Sequence, residues 1–375
     1  MVKLCIDDLD EFKNKIKYKT VYCFGAGRYL DEVLIRFVAS INNKIVGVVD
    51  NNSAIWRSER FVCGKKFFVI SPEELCNSVK KDDLVILITN YANSYEIIEQ
   101  LDGYADLNDV MVYVAQFFFL DKETKSNFIF TEKKTKEIIP RIIHYCWFGK
   151  GSIPKEYEEY MSSWGKYCPD YEIKRWDENN YDIKKNRYAY EAYKNKAWAF
   201  VSDVARLDIL YNYGGVYLDC DVELLKPLDP FLKDNFFCGF QTESEINLGL
   251  GFGAVKGHPY LKRLLELYDS LRFVDEDNNL NMTPCPVYQT KVMKEFGIIP
   301  KNSYQNKNGI SVYPREVFSP RSLVWGTTEI TESTFSIHHF GATWFSDEKK
   351  KNRKENDEKK IKILNRYKMQ EEEER

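Results

Sequence analysis

The feature that most constrains this chain is residues 213–221, where two glycines precede a short apolar strand and two aspartates follow it. Alternation along an extended chain places Asp219 and Asp221 on the same side, facing one site. Two carboxylates held this close repel each other unless a positive charge lies between them. A divalent cation such as Mg²⁺ or Mn²⁺ takes oxygen ligands and often bridges to phosphates. The stretch therefore predicts either a metal site at the end of a buried strand or a pair of solvated acids in a turn.

Length and composition limit the classes of protein to consider. The 375 residues suffice for two domains or one elaborated domain, and 44% apolar residues supply a sizeable core. A net charge of −3 gives no support for general nucleic-acid binding. Nine scattered cysteines without a Cys-x-x-Cys pair indicate free thiols in a reducing compartment.

The sequence also carries no sign of secretion or of membrane insertion. The N-terminus lacks the apolar core of a signal peptide, and no apolar run reaches the length of a membrane span. We therefore expect a soluble, cytoplasmic protein. Any lipid-linked substrate would have to be met by peripheral contact at the inner face of the membrane.

Strands alternate with helices over residues 1–120, which predicts a small Rossmann-like domain with a parallel sheet. The predicted strands lie near residues 20–25, 44–50, 83–89 and 110–114. The predicted helices lie over residues 1–17, from residue 71, over residues 94–101, and in a pattern formed by Leu30, Val33, Leu34 and Phe37.

A glycine turn follows the first of these predicted strands. Gly25 and Gly27 fit a dinucleotide-binding fingerprint, but Leu30 stands where the third glycine is needed. Asp50 ends the next strand, where an acid can bind a ribose. The turn predicts either a phosphate held at a helix N-terminus or a strand-to-helix turn without any ligand. An NAD-dependent sugar oxidoreductase acting through residues 1–115 is thus an alternative, although the missing glycine and the absence of an obvious catalytic Tyr-x-x-x-Lys arrangement there count against it.

A polar and aromatic segment over residues 121–138 predicts a connection to a second α/β domain at residues 139–346. Its predicted strands lie near residues 138–147, 171–177, 216–218 and 236–240, and its predicted helices at 155–166, 188–193, 197–211 and 258–271. We expect irregular acceptor-side loops over 272–310. Residues 347–375 are dominated by charge and predict a solvated C-terminal tail, helical in part.

Three further positions suggest binding chemistry near the paired acids. Trp147 lies just past a strand end, where ligands of α/β sheets gather, and can stack on a base; the alternative is a core tryptophan. Asp203 and Arg206 are neighbours on one face of the helix that leads into residues 213–221; the alternative is an ordinary ion pair. His338 and His339 can supply the nitrogen ligand that Mn²⁺ accepts, or can make ordinary hydrogen bonds.

Five ordered segments together resemble a known family: residues 142–149, 200–206, 213–221, 257–259 and 338–344. Over residues 138–344 the chain resembles the retaining glycosyltransferases of family 32. These are sugar-binding-region proteins with a DXD motif, found in bacterial capsule and lipopolysaccharide clusters. It is more distantly similar to yeast mannosyltransferases and to the glucosylating clostridial toxins. The resemblance implies a GT-A fold, a nucleotide-sugar donor and a divalent metal, Mn²⁺ or Mg²⁺.

The resemblance also implies roles for individual residues. Trp147 would stack on the donor base. His339 would be a second metal or phosphate ligand, and His338 is the second choice for the same role. Asp219 would contact the ribose or sugar, and Asp221 would ligate the metal. The implied catalytic residues are Asp203, Arg206, Asp219 and Asp221. The implied donor-binding residues are Trp147, Ser202, Asp203, Arg206, Tyr217, Asp219, Asn247, Thr343 and Trp344. The implied metal ligands are Asp221, Asp219, His339 and His338.

Breaking a sugar–phosphate bond places negative charge on the leaving diphosphate, which a metal and Arg206 would stabilise. The family retains anomeric configuration, and no carboxylate is marked as a covalent nucleophile. We therefore expect front-face attack by the acceptor hydroxyl, with the leaving phosphate taking its proton. The family's bacterial members favour a UDP-sugar donor and a glycan or lipid-linked acceptor in surface polysaccharide synthesis. The alternative of a non-catalytic nucleotide- or glycan-binding protein is opposed by the intact Asp219 and Asp221.

Overall fold

The computed structural model divides the chain into two compact units. The first comprises residues 1–122 and 352–375, and the second comprises residues 123–351. The structure describes residues 1–27, 30, 41, 43–62, 65–78, 81–90, 93–119, 128–131, 134–322, 326–341 and 347–373. The cysteines among these residues are all free thiols. No helix in the same ranges is long and apolar enough to cross a membrane.

The first unit contains a seven-stranded sheet in the order β1-β7-β6-β2-β3-β5-β4. Its strands are β1 (Lys3–Cys5), β2 (Thr20–Phe24), β3 (Ile45–Val49), β4 (Glu59–Val62), β5 (Lys65–Ile70), β6 (Leu84–Ile88) and β7 (Met111–Val114). Among the described residues up to 119, its helices are α1 (Leu9–Lys15), α2 (Pro72–Ser78) and α3 (Ser94–Asp102). Every neighbouring pair of strands is parallel except the hairpin β4–β5. The residues of β6 are all buried, as expected of a parallel strand covered on both faces.

Two features of this unit differ from the predictions. The helix predicted over residues 1–17 is in fact β1 followed by the shorter α1. The reason is Asp8, whose carboxylate accepts hydrogen bonds from the amides of Asp10 and Glu11 and so begins the helix at Leu9. The hairpin β4–β5 has no counterpart in the sequence analysis. The helical pattern predicted from Leu30 to Phe37 lies outside the described residues, apart from Leu30 itself.

The second unit contains a mixed sheet in the order β15-β16-β12-β14-β10-β8-β9, with β13 paired to β12, and a two-stranded sheet, β11–β17. The strands are β8 (Ile142–Cys146), β9 (Glu172–Trp176), β10 (Gly215–Tyr217), β11 (Val222–Leu224), β12 (Phe236–Phe240), β13 (Ile246–Asn247), β14 (Phe252–Ala254), β15 (Gln305–Lys307), β16 (Ile310–Tyr313) and β17 (Ser336–His338). The helices are α4 (Lys155–Tyr167), α5 (Arg187–Lys194), α6 (Trp198–Tyr213), α7 (Pro259–Ser270), α8 (Cys285–Glu295) and α9 (Arg315–Phe318). The predicted α/β class is thus confirmed, with a mostly parallel sheet in the first unit and a mixed sheet in the second.

The prediction that residues 272–310 are irregular is wrong, because this stretch contains α8 and β15. The buried face of α8 carries Gln289 and Thr290 beside Val292 and Met293. Polar side chains on the buried face hid the helical period of the apolar residues. The described part of the connecting segment belongs to the second unit, where the Phe130 ring lies 4.7 Å from the Phe335 ring.

The charged C-terminal residues are helical, as predicted in part, and form one long helix, α10 (Asp347–Glu373). From residue 352 onward this helix belongs to the first unit. Its Ile363 is buried, and Arg366 donates to the Asp102 carboxylate at 2.9 Å. Gln370 donates to the Val2 carbonyl at 3.0 Å. The scarcity of apolar residues misled the prediction, since a few well-placed side chains suffice to fix the helix.

Candidate active site

A turn of two glycines delivers the chain from α6 into β10. Gly214 has φ 69° and Gly215 has φ 102°, a backbone region that favours glycine. A Cβ atom at Gly215 would lie 2.8 Å from the carbonyl oxygen of Ile142 in β8. Both the conformation and the close approach therefore require glycine, and the start of β10 is fixed against β8.

A buried histidine, His144, fixes the position of this turn through hydrogen bonds. The indole of Trp176 donates to Nδ1 of His144 at 3.0 Å, so the ring proton lies on Nε2, which donates to the Gly214 carbonyl at 3.0 Å. Burial lowers the pKa of His144 to about 4, because the charged form would lose its hydration. His144 therefore acts as a neutral clamp between β8, β9 and the glycine turn.

The two aspartates lie where β10 ends and the small sheet β11–β17 begins. Asp221 is buried and accepts a hydrogen bond from the Gly341 amide at 2.7 Å. Val222 pairs with His338 in the register of β11 and β17. This pairing places Nε2 of His338 3.4 Å from an oxygen of Asp221 and 4.0 Å from an oxygen of Asp219.

Among the described residues, Asp219, Asp221 and His338 form the single group of ligand-type side chains suited to a metal ion. Their candidate donor atoms lie within 4.8 Å of one another. Two carboxylate oxygens and one imidazole nitrogen fit Mn²⁺, which accepts both donor types. The Phe340 amide donates to Nδ1 of His338 at 3.3 Å, which leaves the ring proton on Nε2. Ligation through Nε2 therefore requires that proton to leave and the Phe340 contact to open.

Arg206 is the centre of the charge network beside these acids. Its guanidinium is buried, lies 2.9 Å from an oxygen of Asp203 and 3.5 Å from an oxygen of Asp219, and covers the Tyr217 ring at 5.1 Å. Its Nε donates to the carbonyl of Ser202 at 3.1 Å. Tyr217 in turn donates its hydroxyl proton to Asp219 at 3.0 Å. The predicted helix face and the predicted acid pair thus meet in one network.

Burial and charge shift the pKa values of these acids in a common direction. Burial raises the pKa of Asp203 to about 6, although Arg206 favours its charged form. Burial also raises the pKa of Asp219, and the neighbouring Asp221 acts in the same direction, against the effect of Arg206. Carboxylates that are this hard to ionise gain stability from any added cation.

His339 points away from the acid pair, contrary to the order in which the two histidines were predicted. Its Nε2 lies 3.0 Å from a carboxylate oxygen of Glu223, and its ring stacks on Tyr160 at 3.8 Å. Successive residues of a strand face opposite sides, so only one of two adjacent histidines can reach the acids. In the structure His338, the last residue of β17, is the histidine that lies beside the acids.

Asn247 and Gly249 border the acids from another side. The Asn247 amide accepts from the Gly249 amide at 2.6 Å and donates to Gln241 at 2.9 Å. A Cβ atom at Gly249 would lie 2.5 Å from an oxygen of Asp219. The short glycine-rich segment therefore lets the backbone approach the acid.

Other predicted positions lie further out or outside the described residues. Trp147 is partly buried in the loop after β8, where its indole donates to the Gly151 carbonyl at 2.8 Å. Thr343 and Trp344 lie outside the described residues. His258, from the segment 257–259, caps α7 by accepting from the Tyr260 amide at 3.3 Å, which is a structural role.

Helix α8 supplies three residues that the sequence analysis missed. The Cys285 thiol makes a hydrogen bond to Asp203. Gln289 accepts from the Leu248 amide at 3.0 Å, and Thr290 accepts from the Ile246 amide at 2.9 Å. Gln289 and Thr290 thereby fix the backbone on both sides of Asn247. The prolines on either side of Cys285 were the available signal of a helix start.

A match to a known protein family covers the acid pair and its arginine. Residues 154–237 match the family described as the glycosyltransferase sugar-binding region containing a DXD motif. This segment contains Asp203, Arg206, Asp219 and Asp221, whereas His338 lies beyond it.

Named relatives and a solved structure are similar to parts of the chain. Inositol phosphoceramide mannosyltransferase 1 of Schizosaccharomyces pombe is 30% identical over 159 residues, 40% of this chain and 47% of the relative. A mannosyl phosphorylinositol ceramide synthase of Saccharomyces cerevisiae is 30% identical over 175 residues, 44% of this chain and 45% of the relative. This chain therefore spans less than half the length of either relative. A solved glycosyltransferase involved in glycosylation of the major capsid of PBCV-1 is 15% identical, with 59% of this chain and 98% of that chain covered at a TM-score of 0.34.

Proposed function

We propose that this chain is a metal-dependent retaining glycosyltransferase that moves a hexosyl group from a nucleotide-sugar, with UDP favoured as the nucleotide. The observation that carries the proposal is the convergence of Asp219, Asp221 and His338 within 4.8 Å, inside and beside a segment that matches the DXD family. A buried Arg206 adjoins the same group. The arrangement is suited to a diphosphate, whose charge needs both an arginine and a divalent cation.

The chain's own residues divide the work of the proposed reaction. Asp219 and Asp221 would hold the cation, which, when bound, supplies positive charge to the departing diphosphate. Arg206 contributes a fixed positive charge in a buried setting, where electrostatic stabilisation is strongest. Asp203 is engaged by Arg206 and is therefore poorly suited to be a covalent nucleophile. Front-face attack by the acceptor hydroxyl is thus the mechanism we propose for retention.

For the acceptor, we propose a chemical class. A glycan or lipid-linked oligosaccharide of a bacterial surface polysaccharide remains the expected acceptor, met in the cytoplasm at the inner face of the membrane. The yeast relatives are named as mannosyltransferases of inositol phosphoceramide, a lipid. Mannose donors and lipid acceptors therefore belong in any substrate panel.

Hydrolysis of nucleotide-sugars tests this proposal directly. UDP- and GDP-sugars are incubated with the protein in Mn²⁺, in Mg²⁺ and in chelator, and release of nucleotide diphosphate is measured. We expect one donor class to be hydrolysed only with metal present. Asp221→Ala should abolish both turnover and the metal requirement, whereas Asp170→Ala, which changes an exposed acid of the same unit, should leave both unchanged. Mn²⁺-dependent turnover that persists in Asp221→Ala contradicts the assignment.

A further inference from the structure

The first unit contains a crevice of its own, outside the segment that matches the glycosyltransferase family. Its volume is about 460 Å³, within the range of small-molecule sites. It opens at the carboxyl ends of β2, β3 and β6, among Gly25, Asp50, Asn51, Asn90 and Gln100.

The position of this crevice follows from strand order. From β2 the chain runs to β3 and β5 on one side, then returns to place β6 on the other side. The connections leave β2 and β6 in opposite directions, which opens a gap above their carboxyl ends. Ligands of open α/β sheets bind at such a switch point.

The glycine turn in this crevice is already occupied by a carboxylate of the chain. Asp50 accepts from the Ala26 amide at 2.7 Å through one oxygen and from the Asn52 amide at 2.8 Å through the other. The Gly25 amide donates to the Val49 carbonyl at 2.8 Å. A phosphate at this turn would find these amides engaged and a negative charge in its place. This arrangement opposes a dinucleotide diphosphate.

Glycine at position 25 is explained by packing of the chain itself. Its φ is 115°, and a Cβ atom there would lie 3.1 Å from atoms of Thr89 and of Asn90. The residue lets the ends of β2 and β6 approach each other. It therefore gives no sign of a phosphate passing close to the backbone.

The remaining polar groups suit hydroxyls instead of anions. Asn51 and Gln100 exchange reciprocal amide hydrogen bonds of 2.8 and 3.0 Å, which fixes both side chains at the rim. Asp50 and Glu96 are the charged side chains among the described lining residues, and Glu96 is paired with Lys359 at 2.8 Å. Each Asp50 oxygen has further lone pairs beyond the amide that it accepts. Buried Phe24 supplies an apolar wall.

We propose that this crevice binds an uncharged polyhydroxylated ligand, a sugar ring that offers neighbouring hydroxyls to Asp50 and to the surrounding amides. The ring belongs either to a neutral saccharide or to the ribose of a nucleoside. Carboxylate and amide oxygens accept from hydroxyls while amide nitrogens donate to them, which matches the mixed lining. The inference is independent of the proposed transferase activity.

Saturation-transfer NMR on the full-length protein in chelator tests the proposal. The probes are methyl glycosides of neutral hexoses, uridine and guanosine, with NAD⁺ and UDP as anionic comparators. Asn93→Trp fills the rim of the crevice, and Asn93 makes no side-chain cap to α3, so the helix start should tolerate the change. Asn14→Trp places the same ring on an exposed position of α1 and serves as the matched control.

We expect a glycoside or a nucleoside to bind in the millimolar range, and Asn93→Trp to weaken that binding about tenfold or more. Asn14→Trp and Asp221→Ala should leave it unchanged. The double variant Asn51→Ala/Gln100→Ala provides a second test that removes polar partners without adding bulk. Which probe binds identifies the source of the ring. The proposal is overturned if no neutral probe binds, if neither crevice variant weakens binding, or if only the phosphate-containing probes respond to Asn93→Trp.

Discussion

Arg206 pairs with Asp203 and Asp219, and Asp219 in turn lies beside Asp221, so three carboxylates and one buried guanidinium form one cluster. With all three ionised, the charges sum to −3 + 1 = −2, which equals the charge that one divalent cation neutralises. Isolated buried charge is costly, so the network favours either proton uptake or metal binding. Burial raises the pKa of both Asp203 and Asp219, in keeping with this cost.

Tyr217→Phe tests how the network orients Asp219. The change removes the hydroxyl that donates to Asp219 at 3.0 Å and keeps the ring beneath Arg206. A hydrogen bond to a charged group contributes about 1.5–3 kcal/mol, so we expect kcat/KM for donor hydrolysis to fall at least about tenfold.

Tyr171→Phe is the matched control for this change. The Tyr171 hydroxyl is buried and has no hydrogen-bond partner among the described residues. Its removal should leave both kcat/KM and stability close to those of the unmodified protein. Equal activity in the two variants would show that Tyr217 does not orient Asp219.

At the scale of elements, the glycine turn before β10 can be tested by adding one methyl group. Gly215→Ala combines a positive φ with a contact of 2.8 Å to the Ile142 carbonyl oxygen. We expect the free energy of unfolding to fall by about 2 kcal/mol or more, measured by urea denaturation. Gly257→Ala also has a positive φ but meets no atom within 4 Å. It should cost only about 1 kcal/mol, and similar losses in both variants would remove any role for the β8 contact.

Helix α7 carries a pH-sensitive cap. Burial lowers the pKa of His258 to about 4, below its unfolded value of about 6.5, so the unfolded chain takes up the proton first. The stability that this histidine contributes is complete above pH 6.5 and is lost as the pH falls toward 4, by roughly 2–3 kcal/mol.

His258→Asn keeps an oxygen that can cap α7 and removes the titrating group. The measurement is urea denaturation of both proteins between pH 7 and pH 4. We expect the unmodified protein to lose stability relative to the variant over this interval. Parallel curves would mean that His258 takes up no proton on unfolding in this range.

Sequence patterns located elements where one period dominates. The apolar strand at 236–240 and the helix that became α6 are examples, because apolar residues outnumber the buried Asp203 and Arg206 on α6 and no polar side chain is buried in the strand. The pattern failed at α8, where Gln289 and Thr290 are buried because they bind backbone amides of another element. Such partners lie more than 40 residues away, so no local window records them.

The candidate site was likewise predictable only in part from the sequence. The acid pair and the Asp203–Arg206 face follow from local spacing and were predictable. The choice of His338 over His339 depended on the register of β17 against β11, which the sequence does not encode locally. The hydrogen bond from the Ala26 amide to the Asp50 carboxylate was likewise not predictable from the sequence, since it depends on the backbone positions after two different strands.

At the scale of the whole molecule, the first unit is built from two separated segments, and α10 is the returning one. Arg366→Ala removes the guanidinium that binds the Asp102 carboxylate and the Val2 carbonyl. We expect a loss of about 1–3 kcal/mol, because Asp102 is left partly buried with less compensation. Hydrogen exchange should show faster exchange in β1 and α3 and no change in β10 or β12.

Lys368→Ala is the control on the same helix, because Lys368 is exposed. Its exchange pattern should match that of the unmodified protein. Faster exchange in the second unit of Arg366→Ala would show that the two units unfold as one.

The return of α10 to the first unit also sets an order of events on the ribosome. Residue 352 follows residue 122 by 230 positions, so at 5–20 residues per second its synthesis comes on the order of 10–50 s later. During that interval all residues of the second unit are made, while Val2 and Asp102 still lack their helical partner. The unit that is begun first is therefore completed last, and a nascent chain stalled at residue 351 would contain all residues of the second unit but not the returning segment of the first.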